Sequence, residues 1–183
     1  MEPRASRGKI PQKNVGFRRA RSSSGWEAKN GRNRDGSLGM SVQEQIDKYI
    51  GDQRPPKRRE LQDLHRRIMG MSPECKLWFL DGRNREGKIV SNPNIGYGST
   101  NIKYVNGEQR EFYRVGLSAN TTGISVYIMG LDRKDYLPET YGKRLGKAKI
   151  SGYCVKFKSI RDVNIETLEE IIADAMTGGQ SAA

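Results

Sequence analysis

One histidine and two cysteines stand in 183 residues. That scarcity leaves little material for a histidine-rich metal site or for a Ser–His–Asp relay. Cys75 and Cys154 lie far apart with no C-x-x-C spacing, so they read as reduced, partly buried thiols of a cytoplasmic protein. A bond between the two stays open at this point. Neither a G-x-x-x-x-G-K-[ST] phosphate loop, nor a G-x-G-x-x-G turn opening a helix, nor a G-x-S-x-G elbow is present. No run approaches the roughly 18 apolar residues of a membrane span, and no apolar segment follows the basic start as a signal peptide requires. These absences turn the expectation away from catalysis and toward binding.

Hydrophobic residues are also few, 34% against 30% charged. Such a balance means that part of the chain stays outside any core. Lysine and arginine outnumber aspartate and glutamate 33 to 21, a net charge of +12. Residues 1–40 hold ten of these cations against three acids, a net of +7, together with six glycines, five serines and two prolines. With no helical or strand period, this segment is expected to be a disordered basic arm. Arg18, Arg19, Arg21, Lys29 and Arg32 surround its two aromatics, Phe17 and Trp26. In that arrangement cations meet phosphates while rings stack on unpaired bases; docking of the two rings on the protein itself is the alternative. The charge selects acidic partners, nucleic acid or a nucleoprotein assembly above all.

Order is expected from Ser41, over 41–177, with 178–183 a loose terminus. Ser41-Val42-Gln43-Glu44 has the form of a capping box. Val42, Ile46, Tyr49 and Ile50 then share a helical face, and Leu61, Leu64, Ile68 and Met71 define a second helix after Pro55-Pro56. His65 in that helix reads as a boundary residue, not a ligand. Past Pro73 the period changes to two. Lys76–Leu80 reads as a short strand, Asp81–Pro93 as a polar loop, and Asn106-Gly107 as a hairpin turn. Tyr113, Val115 and Leu117 are expected to point one way on the returning strand, as are Ile124, Val126 and Ile128 on the next, giving an antiparallel meander. A short helix around Tyr136–Leu145 follows. Then comes a strand with Tyr153, Val155 and Phe157 inward, and a final helix capped by Asn164. The fold class is α+β: an antiparallel sheet with N- and C-terminal helices on one face.

The segment from Asn94 to Met176 carries an ordered set of short motifs: Asn94-Ile95-Gly96-Tyr97-Gly98, Lys103-Tyr104 with Asn106-Gly107, Val115-Gly116-Leu117-Ser118, and Ile124-Ser125-Val126-Tyr127-Ile128. Arg144-Leu145-Gly146-Lys147, Cys154-Val155-Lys156-Phe157-Lys158 and Leu168-Glu169-Glu170-Ile171-Ile172 follow. In these it resembles the YdhG-like family, a domain of unknown function. The resemblance implies a frataxin-like α+β shape, and an iron-chaperone role of the kind ascribed to some relatives. For iron, oxygen ligands are needed. The last helix offers Glu166, Glu170 and Asp174 at i, i+4 and i+8, with Glu169 beside them; the polar face of any amphipathic helix looks the same. Against that carrier reading stands a non-catalytic module without a cofactor, binding nucleic acid through its arm and through Lys103, Arg114, Lys156 and Lys158 on the sheet. A subunit of a larger assembly, or a homo-oligomer, is the further alternative.

Overall fold

The computed structural model describes residues 39–84, 86–103 and 106–178. It is an α+β structure. Helix α1 (Val42–Gly51) starts at the expected capping box: the Ser41 hydroxyl accepts from the Glu44 N–H, and the Glu44 carboxylate accepts from the Ser41 N–H at 2.6 Å. Helix α2 (Lys57–Met71) follows, burying Leu61, Leu64 and Ile68. Val42 and Met71, at the two outer ends of this pair, remain exposed.

Strands β1 (Leu77–Leu80) and β2 (Asn94–Tyr97) come next, then the hairpin β3 (Thr100–Lys103) and β4 (Gln109–Phe112). The chain continues through β5 (Val115–Asn120), β6 (Gly123–Ile128), the short helix α3 (Tyr136–Tyr141), β7 (Lys149–Ser151) and β8 (Cys154–Phe157). After a 3-10 turn at Ile160–Asp162, helix α4 (Ile165–Thr177) closes the domain. Asn164 caps α4 by accepting from the Thr167 N–H, and Gly178 ends it with a left-handed φ of 77° that a side chain would resist. Among the described residues no helix is long and apolar enough to cross a membrane.

Six strands form one antiparallel sheet in the order β1-β2-β5-β6-β8-β7, with β3–β4 as a separate pair. Side chains alternate between the faces of a strand, and one parity supplies the core: Ile95 and Tyr97 from β2, Val115 and Leu117 from β5, Ile124, Val126 and Ile128 from β6, Val155 and Phe157 from β8. These pack with Ile46, Leu64, Ile68, Leu168 and Ile172 of the helices. Burial of such side chains, at about 1.5–3 kcal/mol each, is what holds the helices on this face.

Three expectations are corrected here. The meander is not continuous: β5 pairs with β2 and β6, while the Asn106-Gly107 hairpin stands apart from the main sheet. The stretch around Gly96, assigned to no strand from the sequence, is itself one, β2. Tyr113 does not share a face with Val115 and Leu117. It is buried yet lies outside the main core cluster, with its ring against the backbone of Gly96 and Gly116, which are cross-strand partners. A Cβ on Gly116 would come within 2.6 Å of that ring. Gly116→Ala is therefore expected to cost about 1–3 kcal/mol, the range for overpacking. Guanidinium denaturation should show this loss shrinking in a Tyr113→Ala background, where the obstructing ring is gone.

Candidate nucleic-acid interface

The sheet face turned away from the core carries the other parity of side chains. Trp78, Gly96, Gly116, Tyr127, Cys154 and Ser151 are successive cross-strand partners over all six strands. The two glycines make room for Tyr113, whose ring lies 4.2 Å from that of Phe112. Trp78 donates from Nε1 to the Gly98 carbonyl at 2.8 Å and carries the Lys76 ammonium 4.2 Å above its ring. Toward the far edge, Tyr127 and Tyr153 have ring centroids 6.3 Å apart and planes inclined by 36°. Tyr153, expected to face inward, is 52% exposed: it sits in the β7–β8 turn, one residue before the strand, and so escapes the alternation. Burial pushes the phenols of Tyr113 and Tyr127 up, and burial also pushes the Cys154 thiol up, so this row presents neutral groups.

Charge borders the row. On the next step of the sheet Lys156 of β8 stands directly opposite Lys149 of β7, both exposed on the same face. Lys158 follows two residues beyond Lys156, and Lys147 precedes β7, also exposed. None of these four lysines has an ion-pair partner among the described residues. The acids are matched elsewhere: Glu169 with Arg67 at 2.7 Å, Glu170 with Arg144 at 2.9 Å, Glu111 with Lys76 at 2.9 Å, and Asp135 and Glu139 both with Arg133. Like charges opposite one another on neighbouring strands repel. Among the described residues no carboxylate forms an ion pair with Lys149 or Lys156 to relieve that repulsion.

Of the residues singled out in the sequence, Lys156 belongs to this face, and Lys158 is exposed one residue beyond the end of β8. Of Lys103 the structure describes the backbone, as the last residue of β3. Arg18, Arg19, Arg21, Trp26 and Arg32, with Phe17 and Lys29, lie outside the described residues. Arg114 serves another purpose. Its guanidinium donates to the Ala175 carbonyl at 3.0 Å and to the Ser99 carbonyl at 3.3 Å, tying the C-terminus of α4 to the sheet, where a cation also suits the helix dipole. The α4 carboxylates do not converge on one point. Glu169 and Glu170 pair with the separate arginines named above, Asp174 accepts from the Tyr141 hydroxyl, and Glu166 is exposed in the first turn. Among the described residues no group of three or more His, Cys, Asp or Glu side chains is gathered to hold a metal. Cys75 and Cys154 are both free thiols.

A second concavity, a groove of about 650 Å³ between α1 and α2, is lined by Asp47, Gln62, His65 and Arg66. His65 Nδ1 shares a 2.8 Å hydrogen bond with the fully buried Tyr97 hydroxyl. Burial lowers the His65 pKa, partly offset by Asp47. No family model, no curated protein and no solved structure matches the chain.

Two outcomes follow from these contacts. Arg114→Ala should destabilise the domain by about 1.5–3 kcal/mol, the worth of a charge-assisted hydrogen bond, with no change in the salt dependence of any anion binding. His65 titrates more readily in the unfolded chain, near 6.5, than in the fold. Its contribution is therefore full above that value and lost as pH falls through the lower folded pKa. Melting temperature should drop between pH 7.5 and pH 5 by more in the parent protein than in His65→Gln.

Proposed function

We propose that the protein is a non-catalytic module that binds nucleic acid, free or within a nucleoprotein assembly, through this sheet face together with its basic N-terminal segment. The observation that carries the reading is a lysine pair without an ion-pair partner among the described residues: Lys149 opposite Lys156, with exposed Lys147 and Lys158 beside them along the chain, on a face where the Tyr127 and Tyr153 rings lie side by side. A phosphate backbone relieves the repulsion between the paired lysines, and counterion release supplies sequence-independent affinity. The +7 on residues 1–40 adds to the same attraction. In this reading the YdhG-like, frataxin-like resemblance describes the scaffold. The iron-carrier alternative is less favoured, since the α4 carboxylates are drawn to separate arginines and to Tyr141.

Fluorescence anisotropy with labelled RNA and DNA over 50–200 mM salt tests the proposal. The full chain should bind with a steep log–log salt slope. Lys149→Gln and Lys156→Gln together should reduce that slope by about 1.4–1.8, from about 0.7 per contact on single strands to about 0.9 on duplex. Their thermal stability should be equal to or slightly above the parent's, because a like-charge pair has been removed. Deletion of 1–40 should weaken binding further. Binding to anionic lipid vesicles with no binding to either polynucleotide would reject nucleic acid as the partner.

A further inference from the structure

Resting on that reading, we infer that the ligand is an unpaired strand, with one or two bases stacked on Tyr153 and Tyr127 and the flanking phosphates held by Lys156 and Lys149. Three observations converge. Tyr153 is the most exposed aromatic side chain of the described residues, although its phenol ring would be expected to seek cover. It is not isolated, because the Tyr127 ring lies 6.3 Å away with its plane inclined by 36°. Tyr127 and Lys156 are diagonal neighbours on the same sheet face, since Cys154 is the partner of Tyr127 and Lys156 that of Ser125. Such neighbours are about 7–8 Å apart, so one ring and one cation lie within a single nucleotide's reach.

The chemistry of this pair distinguishes strand types. In a duplex the base faces are already stacked on each other, so protein rings find only edges, and lysines alone would carry the contact. An unpaired strand exposes its base faces, and stacking on tyrosine is worth about 5–150-fold in affinity per base. Sequence tolerance follows as well, since every base has a π face. Cys154, the cross-strand partner of Tyr127 and chain neighbour of Tyr153, adds polarizable surface without charge.

The test uses the full chain, a single-stranded oligonucleotide without self-complementarity, and a blunt duplex of the same length. Tyr153→Ala should weaken single-strand binding by about 5–150-fold and leave duplex binding unchanged, while Tyr153→Phe keeps parent affinity. Because the side chain is mostly exposed, both variants should melt within a few degrees of the parent. If single-strand affinity survives Tyr153→Ala while Lys149→Gln and Lys156→Gln reduce it, the stacking inference falls and the phosphate-binding reading stands. Equal affinity of parent protein for duplex and single strand would likewise overturn it. Absence of binding to both polynucleotides would overturn both readings together.

Discussion

The contact of the Tyr113 ring with the bare backbone of Gly96 and Gly116 organises the rest of the sheet. Between Phe112 and Val115 the chain leaves the β3–β4 hairpin and enters the central sheet. The ring can be laid against the outer face there only because two facing glycines have no Cβ. With Tyr113 outward, Val115 and Leu117 fall inward against the helices, and the following residue, Arg114, reaches the end of α4. One steric allowance thus separates the apolar core from the aromatic outer face, and links the hairpin, the sheet and the last helix.

The distribution of charge follows from the same two-sided plan. Helix surfaces keep their acids because arginines stand opposite them: Arg67 meets Glu169 and Arg144 meets Glu170. These half-exposed pairs contribute little stability, as surface ion pairs do. Their effect is to cancel charge over the helical side. On the outer sheet face no such pair forms around β7 and β8 among the described residues, so Lys149 and Lys156 leave a local excess of charge. Net charge alone could not have indicated this, because it carries no information on which acid neutralises which base.

The helices and the sign of the core were legible in the sequence because capping and periodicity are local. Ser41 with Glu44, Asn164 with Thr167, and the intervals from Leu61 to Ile68 all required neighbours no more than four residues away. What escaped was decided by partners distant in the chain. β2 was missed because Gly96 looks like part of a turn until Tyr113 is seen lying on it and on Gly116 of β5. β7 is three residues long and has no period to read. Arg114 looked like a surface cation because its acceptor is a carbonyl 61 residues away. Tyr153 followed the alternation of Val155 and Phe157, yet the turn before Cys154 turned it outward. Lys149, half of the lysine pair, became visible only once β7 and β8 were in register.

Among the described residues strand β7 is also an edge of the six-stranded sheet, paired on one side only. Its brevity and the charge of Lys149 are features that keep an open edge from adding a strand of another molecule. Lys149, facing Lys156 across the β7–β8 pair, therefore also acts as a guard against edge-to-edge joining. Phosphates bound there as proposed would lower this guard, and would link occupancy of the face to the joining of one chain to the next.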